Sequence, residues 1–372
     1  MPQVKPEIES FARIKVFGIG GSGCNTVTRM VNQRIKGIDF IAANTDSQAL
    51  HYCKASEKIL LGKNTTRGLG AGMNVESGRA ACEESREEIK EVLKGADMVF
   101  ITCGLGGGTG TPGAPIIAEV SKETGALTVA IVTKPFSFEG EQRAAMAEEG
   151  LAELKDKVDS LIVIPNDKVL TIVDEKTTLL NAFSIIDNIL SQGVLAISDI
   201  IVKPGIINVD FADVRAIMDD SGWALMGIGR AKGEERMAEA AKEAVNSPLL
   251  EVSIDGAKGV IFTIAGSDDL TMKEVDEGAK LITKAVDPEG KIIFGAVMDE
   301  TLRKGEVKVT VIATGFNNIP EIKSQPKREV FPESKNKEEK EEESSEWDVP
   351  AFLRRKNKDK QDKEEKEDEK EE

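Results

Sequence analysis

Two glycine-rich loops, each lying between an apolar run and a helical stretch, constrain the fold of this chain more than any other feature. The first glycine loop, residues 18–23, ends the apolar run 13–20, and the second glycine loop, residues 104–111, follows the apolar run 97–102. Glycine lets backbone N–H groups approach a phosphate, whose charge then lies at the N-terminus of the following helix. Because the carboxyl ends of parallel strands share one edge of a sheet, both loops would face one crevice. The pair therefore predicts a phosphate-binding site in an α/β fold.

The first glycine loop alone has two interpretations. Its spacing, Gly18-x-Gly20-Gly21-x-Gly23, matches the dinucleotide fingerprint, and Asp39 lies near the distance expected for a ribose-binding acid. It also fits a tight strand-to-helix turn without a ligand. A Walker loop is absent around Gly62-Lys63, since Glu57 occupies the position of its earlier glycine. The second loop favours a ligand. Each glycine costs roughly 0.5–1 kcal/mol relative to Ala in regular structure, and a simple linker between a strand and a helix would not need so many of them.

Strand-like and helical segments alternate along the chain, which is typical of a mostly parallel sheet covered on both faces. Strands are predicted at 13–20, 40–43, 97–102, 127–132 and 160–164, and then at 225–229, 259–265, 292–297 and 307–314. Helices are predicted at 25–33, 83–94, 177–200, 234–246 and 272–286. We expect an α/β fold with a doubly wound parallel sheet, a long central helix, a smaller second α/β domain and a disordered C-terminal tail.

Four regions are predicted along the chain: a first domain with both glycine loops at 12–176, a spine helix at 177–203, a second domain at 204–318 and a tail at 319–372. The spine has a helical run of roughly 24 residues, about 35 Å at 1.5 Å per residue, which is long for a globular protein. In the tail, 17 of the 40 residues from Glu333 to Glu372 are acidic and 11 are basic. Such a segment buries too little apolar surface to offset its ordering entropy, so disorder is predicted.

Charge and rare residues exclude several classes of function. With 49 Lys+Arg against 65 Asp+Glu, the formal net charge of −16 argues against general nucleic-acid binding, which needs a basic surface. The single histidine, His51, excludes a His-rich metal site, and the four cysteines form no C-x-x-C pair. No apolar run approaches the roughly 20 residues of a membrane span, and Met1–Lys5 lacks an apolar signal segment. We therefore expect a cytoplasmic protein without direct membrane insertion.

The second glycine loop, Gly104-Leu105-Gly106-Gly107-Gly108-Thr109-Gly110-Thr111, resembles the signature loop of the tubulin/FtsZ family, whose FtsZ members build the prokaryotic division ring. The resemblance covers roughly residues 12–318 and a short island in the tail. It implies GTP or GDP as the ligand, with Mg²⁺, and GTP hydrolysis at the mid-cell division site. One departure is Pro112, where many members carry glycine. Since proline is tolerated in the first helical turn, we expect little loss of binding, although one backbone donor is gone.

The resemblance assigns the phosphates to both glycine loops. The implied phosphate-binding residues are Gly21, Ser22, Gly23, Cys24, Asn25, Gly107, Gly108, Thr109 and Gly110, through backbone N–H groups and the threonine hydroxyl. The resemblance also places Asn44 in a nucleotide-contacting loop, Asp46 as an outer ligand of Mg²⁺, and Ala71-Gly72 in the loop that senses the terminal phosphate. From the residues alone, 44–46 fits a helix N-cap equally well, and 71–74 favours a flexible surface loop.

Ribose and base contacts are implied on the other side of the crevice. Glu139 would accept from ribose hydroxyls and Arg143 would bridge to sugar or phosphate, although a solvated i,i+4 ion pair is the default interpretation of these two residues. Phe183 and Asp187 lie four residues apart on the spine helix, so both project from one face. Phe183 would stack on a purine, while the Asp187 carboxylate would accept from guanine N1–H and the 2-amino group. The resemblance adds Asn166 as the second guanine contact.

The implied catalytic residues are Asn208, Asp210 and Asp213. Alone, the two aspartates would most often be a cap or a solvated turn. The resemblance places them at the end of the subunit far from its own nucleotide, so that they reach the γ-phosphate of a second subunit and orient the attacking water. A head-to-tail contact of this kind does not close and gives filaments, here a homopolymer.

The apolar island Trp347–Arg355 resembles the peptide by which the family docks membrane-anchoring division proteins. A chance apolar cluster is the alternative. Two other functions remain open for the chain as a whole. One is a GTP-binding scaffold or shape-determining paralogue with weak hydrolysis. The other is a Rossmann-type oxidoreductase, against which the second glycine loop, the Phe183/Asp187 pair and the lack of a catalytic histidine all argue.

Overall fold

The computed structural model describes residues 12–35, 37–171, 173, 176–202, 205, 207, 209–248, 250, 253–299 and 302–316. The predicted catalytic residue Asn208 and the predicted tail 319–372, including the island 347–355, lie outside these residues.

Strands and helices alternate through the first half of the chain, as the sequence predicts. The strands are β1 (Ile14–Ile19), β2 (Ile38–Asn44), β3 (Glu57–Leu60), β4 (Met98–Gly104), β5 (Leu127–Lys134) and β6 (Ser160–Pro165). The helices are α1 (Gly20–Asn32), α2 (Ser47–Tyr52), α3 (Val75–Glu84), α4 (Arg86–Leu93), α5 (Gly110–Glu123), α6 (Glu141–Lys155) and α7 (Asn166–Leu170). A short 3-10 turn, Ser137–Glu139, precedes α6.

The second half begins with the long helix α8 (Leu179–Val202), whose 24 residues match the predicted spine. It continues with α9 (Phe211–Met218), β7 (Gly222–Lys232), α10 (Arg236–Val245), β8 (Ala257–Gly266), α11 (Met272–Thr283), β9 (Val286–Met298) and β10 (Glu306–Thr314).

All ten described strands join one sheet, in the order β3-β2-β1-β4-β5-β6-β7-β10-β8-β9. Strands β1 to β7 run parallel, β10 is antiparallel to β7 and β8, and β8 pairs with β9 in parallel. The order reverses between β1 and β4, which pair directly with Gly18 opposite Thr102. Open α/β sheets bind ligands at such a switch point, so the two glycine loops meet where a ligand is expected.

The sheet has a core on each face in its parallel part. Val16 and Phe17 are adjacent in β1, are both fully buried, and point to opposite faces, as strand geometry requires. One core includes Val16 with residues of α1 and α8, and the other includes Phe17 with residues of α3 to α6. A third core lies in the second half, between the sheet and helices α10 and α11. The sheet is thus doubly wound, as predicted.

Helix α8 qualifies the expectation that no apolar segment approaches the length of a membrane span. Among the described helices it is the one long and apolar enough to cross a bilayer by length and composition, and 56% of its most apolar 18-residue stretch is buried in the protein. Its buried residues include Leu190 and Val194, which belong to the core shared with α1. A core helix passes the same test of length and composition.

Two of the predicted helices differ most from the structure. Helix α1 starts at Gly20, five residues before the predicted start, so the first glycine loop forms its first turn. The single helix predicted at 83–94 is wrong, because α3 ends at Glu84 and α4 begins at Arg86. Tertiary hydrogen bonds break the helix there: Gly62 N donates to the Ser85 hydroxyl at 3.3 Å, and the Glu84 carboxylate accepts from residues 64 and 65.

Candidate functional site

A cavity of about 490 Å³ opens at the carboxyl ends of β1 and β4. Both glycine loops, the segment after β5, the start of α7 and the first turns of α8 form its wall. The predicted site residues that line it are Gly21, Ser22, Asn25, Gly107, Gly108, Thr109, Gly110, Glu139, Arg143, Asn166, Phe183 and Asp187. Segments far apart in sequence therefore converge on one site.

Helices α1 and α5 both present their N-termini to this cavity. Neither helix has a side-chain cap among the described residues, and neither carries an acidic residue in its first turn. The first N–H groups of each helix are consequently available to a ligand, at the positive end of the helix dipole. Two uncapped N-termini in one cavity suit a ligand with more than one phosphate group.

The glycines of the loops have two different roles. A Cβ added at Gly21 or at Gly107 would meet nothing within 4 Å, so these two positions leave room beside the backbone for a ligand. A Cβ at Gly23 would lie 2.6 Å from the Thr102 carbonyl oxygen, so Gly23 allows α1 to pack against β4. Gly23 and the buried Cys24 are not among the described residues that line the cavity.

Pro112 lies in the first turn of α5, where the sequence places it. The N–H groups of that turn have no partner inside the helix, so its missing donor breaks no bond of the helix ladder.

The polar segment after β2 supports the second glycine loop instead of lining the cavity. The hydroxyls of Thr45 and Thr109 lie 2.7 Å apart. Buried Asn44 accepts from Asp46 N through Oδ1 at 3.2 Å. The Asp46 carboxylate caps α2 by accepting from Gln48 N at 2.8 Å, as the N-cap interpretation of this segment predicts. No cluster of three His, Cys, Asp or Glu side chains suited to a metal occurs among the described residues.

The loop containing Ala71 and Gly72 packs against the second glycine loop from outside. Gly70 N donates to the Thr45 carbonyl at 3.0 Å, which ties the loop to the segment after β2. A Cβ at Gly108 would lie 2.9 Å from backbone atoms of Met73 and Asn74. Gly72 and Met73 have positive φ angles, and Met73 is exposed. The loop thus borders the second glycine loop without contributing to the cavity wall.

Glu139 and Arg143 form the i,i+4 ion pair that the sequence suggests, and both line the cavity. Glu139 also accepts from Phe136 N at 3.0 Å, which fixes the turn before α6. The ion pair is therefore present at the wall of the cavity, and the ribose contact stays a prediction.

Phe183 and Asp187 project from α8 into the cavity, one turn apart. Phe183 is 41% exposed and packs edge to face with Phe136, with ring centroids 5.5 Å apart, so part of its ring stays accessible to a ligand. Asn166 is buried at the start of α7, and its Oδ1 atom has no hydrogen-bond partner among the described residues. A buried amide oxygen without a partner is costly, so this atom is available to a donor on a ligand.

The carboxylate of Asp187 is held by α1. Thr26 donates to Asp187 Oδ1 at 3.0 Å. Burial raises the pKa of Asp187 above its ordinary value, while the Thr26 hydrogen bond and the charge of Arg29 oppose that rise. Sequence reasoning missed Thr26, although its position one turn after Ser22 puts it on the same side of α1 as the phosphate-binding residues.

Asp210 and Asp213 lie away from this cavity, at the start of α9, and both are exposed. Asp210 occupies the N-cap position but makes no side-chain cap bond. Elsewhere in α9, Arg215 donates to the carbonyl of Gly125, just before β5, and Met218 accepts from Ser160 at the start of β6. Helix α9 therefore lies beside the amino ends of strands whose carboxyl ends face the glycine loops.

The family comparisons divide the chain into two matched parts. The model described as "Tubulin/FtsZ family, GTPase domain" matches residues 13–174, and the model described as "FtsZ family, C-terminal domain" matches residues 222–317.

Solved structures match most of the chain. An empty FtsZ dimer from M. jannaschii is 49% identical, with a TM-score of 0.79, and the match covers 82% of this chain and 89% of that one. The GDP-bound CetZ1 monomer from Haloferax volcanii is 21% identical, with a TM-score of 0.71 over 83% of this chain and 96% of that one. A GTPγS-bound CetZ2 protofilament from the same organism is 20% identical, with a TM-score of 0.68, and the match covers 81% of this chain and 92% of that one. The two CetZ likenesses support the fold alone.

Proposed function

Because the chain belongs to the FtsZ family and carries a tubulin/FtsZ GTPase domain, we propose that it polymerises head to tail into filaments of the cell-division ring and hydrolyses GTP between adjacent subunits. The observation that carries the nucleotide part is the single cavity in which two uncapped helix N-termini meet Phe183, Asp187 and Asn166. This arrangement offers phosphate donors at one end and purine contacts at the other.

The triphosphate lies along the N-termini of α1 and α5. A Cβ at Gly21 or Gly107 would enter open space, so a phosphate can approach the backbone N–H groups there. The Thr109 hydroxyl is oriented by Thr45. Mg²⁺ would neutralise part of the phosphate charge, with Asp46 as its outer ligand through the carboxylate oxygen that the α2 cap leaves free.

The base lies between Phe183 and the polar pair Asp187 and Asn166. An ionised Asp187 accepts from guanine N1–H and the 2-amino group, whereas adenine presents an acceptor at N1 that a carboxylate repels. The unpartnered Asn166 amide gains a hydrogen bond from the base, which stabilises a buried polar atom. Glu139 accepts from ribose hydroxyls, and Arg143 contacts sugar or phosphate.

Hydrolysis requires a second subunit. Helix α8 is about 35 Å long, and its first turns line the cavity while Asp210 and Asp213 follow its far end. The two aspartates cannot reach the nucleotide of their own chain, so they orient the attacking water on the nucleotide of a neighbour, together with Asn208. Phosphoryl transfer depends on positioning and charge stabilisation, so dividing the site makes turnover depend on assembly.

Exposed apolar side chains near the cavity support this contact. Leu69 is 88% exposed on the loop beside the second glycine loop, and Leu180 is 77% exposed one turn before Phe183. Covering such side chains with a neighbouring chain would remove apolar surface from water, which favours association. The M. jannaschii FtsZ dimer and the CetZ2 protofilament are consistent with self-association in related chains.

The test is the rate of phosphate release from GTP per chain across a range of protein concentrations, with ATP in parallel. We expect a threshold followed by rising specific activity, and no turnover of ATP. Activity per chain that stays constant on dilution would contradict the divided site. Tight GTP binding without turnover would instead favour a scaffold or shape-determining role.

The tail carries the proposed link to the membrane. We expect the protein to lie in the cytoplasm at mid-cell, held there by a membrane-anchoring division protein that binds Trp347–Arg355. Deleting residues 345–372 should abolish binding of the anchor and leave filament assembly intact. Loss of assembly itself would contradict this separation of roles.

A further inference from the structure

Thr26 links the phosphate-binding helix α1 to the residue that faces the base. Its side chain is fully buried, and its Oγ1 atom lies 3.0 Å from both Asp187 Oδ1 and the Ser22 carbonyl oxygen. A threonine hydroxyl has one proton, so it can donate to only one of these oxygens at a time. An ionised carboxylate attracts that proton more strongly than a carbonyl does.

The protonation state of Asp187 decides which purine it accepts. An ionised carboxylate only accepts hydrogen bonds and so suits guanine N1–H, whereas a protonated carboxyl can donate to adenine N1. Among the described residues, the charged groups that face this region are Arg29 on α1, and Glu139 and Arg143 across the cavity. Burial favours the neutral carboxyl, and Arg29 and the Thr26 hydroxyl favour the ionised one.

We propose that Thr26 is a positioning residue for base selection: its hydroxyl holds Asp187 Oδ1 so that the ionised carboxylate meets guanine and excludes adenine. The inference rests on the proposed function, in which Asp187 reads the base. It assigns selectivity to a residue of the phosphate-binding helix, so one helix contributes to recognition of both ends of the nucleotide.

The rest of the α1–α8 interface does not depend on Thr26. Arg29 donates to Asn188, and Ser191 donates to Gln33 Oε1 at 2.7 Å, further along the two helices. These contacts keep the helices together when the Thr26 hydroxyl is removed. Thr26→Val, which has nearly the same shape, therefore tests the hydrogen bond to Asp187 and not the packing of the helices.

The experiment measures dissociation constants of GDP and ADP for the full chain, since the diphosphates avoid turnover. For Thr26→Val we expect the preference for GDP over ADP to fall about tenfold at pH 7, as for the loss of one hydrogen bond to a charged group. As the pH falls, the variant should also lose this preference at a higher pH than the wild type does. Without the Thr26 hydrogen bond, a larger share of Asp187 is protonated at any given pH. Thr26→Ser should restore both properties, and the control Ser191→Ala should change neither.

Three outcomes would overturn the inference. One is a Thr26→Val chain with unchanged preference, and another is an equal loss of GDP and ADP affinity, which would show a purely structural role. The third is a Thr26→Ser chain that behaves like Thr26→Val. Failure of the proposed function has a different signature, because then the wild type would not prefer GDP, or Asp187→Ala would keep the full preference.

Discussion

The Oγ1 atoms of Thr45 and Thr109 lie 2.7 Å apart, so a hydrogen bond joins the segment after β2 to the second glycine loop. The same segment holds the loop 70–74, through the bond from Gly70 N to the Thr45 carbonyl. Thr45 thus connects two loops that border the phosphate end of the cavity, although it does not line the cavity itself.

Thr45→Val should weaken GDP binding about fivefold, because the Thr109 hydroxyl loses the partner that orients it, a net loss of about 1 kcal/mol. Thr45→Ser keeps the hydroxyl and should bind GDP like the wild type. Calorimetric titration of the full chain measures both. Wild-type affinity in Thr45→Val would mean that Thr109 needs no support.

Asp187→Asn should reduce the preference for GDP over ADP by about tenfold to a hundredfold, because the amide replaces one charged acceptor with a donor. Affinity for ADP serves as an internal control, since both nucleotides share the phosphate contacts. Competition between the two diphosphates gives the ratio directly. A variant that kept the full preference for guanine would refute the assignment of Asp187.

Asp213→Asn should keep GTP binding and lose turnover by about a hundredfold, the size typical of removing one charge-stabilising group. When the variant is mixed with the wild type, it should also lower the turnover of the mixture. The reason is that each variant chain prevents hydrolysis of the nucleotide bound to its neighbour. Asp219→Asn is the matched control, since Asp219 is exposed at the other end of α9. Normal turnover in Asp213→Asn would exclude its catalytic role.

Gly21→Ala and Gly23→Ala should separate binding from stability. The new methyl of Gly21→Ala enters open space, so the chain should unfold at the same urea concentration but bind GDP more weakly. That of Gly23→Ala would lie 2.6 Å from the Thr102 carbonyl oxygen, and we expect a loss of about 1–3 kcal/mol in the free energy of unfolding. Equal stability of the two variants would contradict the packing role of Gly23.

Glu274→Gln should destabilise the second half of the chain in a pH-dependent manner. Buried Arg236 donates to Glu274 Oε1 at 2.7 Å, and this bond lowers the pKa of Glu274 to about 2. A lowered pKa stabilises the fold above the ordinary glutamate pKa, and that contribution disappears as the pH falls from about 4.5 towards 2.

The expected loss in Glu274→Gln at pH 7 is about 1–2 kcal/mol after allowance for solvent screening. The difference from the wild type should shrink to nothing near pH 2. Urea unfolding at several pH values measures it, with Glu277→Gln on the exposed side of the same helix as the control. A difference that does not depend on pH would exclude the ion pair as its cause.

Local patterns were sufficient for much of the fold. The strand positions, helix α8 and the two glycine loops depend on residues close together in sequence, and the structure contains all of them. The break at Ser85 was not predictable, because no glycine or proline marks it and its cause is a hydrogen bond from Gly62, 23 residues away. Strand β3 was not predicted either, because its four residues are too few to show a clear apolar pattern.

Motifs and the family resemblance named most of the predicted residues that line the cavity. They also named six that do not line it: Gly23, Cys24, Asn44, Asp46, Ala71 and Gly72. Convergence of Glu139, Phe183 and Asp187 on one cavity follows once the sheet order is known. The contacts of Thr26 with Asp187 and of Thr45 with Thr109 join residues 161 and 64 positions apart. Such pairs carry no pattern in a single sequence, so only the packing of the elements reveals them.

The cavity lies at the first turns of α8, and Asp213 follows the other end of that helix. This arrangement sets the number of complete sites in the proposed filament. A row of n chains contains n − 1 complete hydrolytic sites, so a lone chain has none and a pair has one for two nucleotides. Turnover per chain then rises with row length towards a limit. The nucleotide at one terminus never meets a neighbour's aspartates and stays a triphosphate, which makes the two termini of every row chemically different.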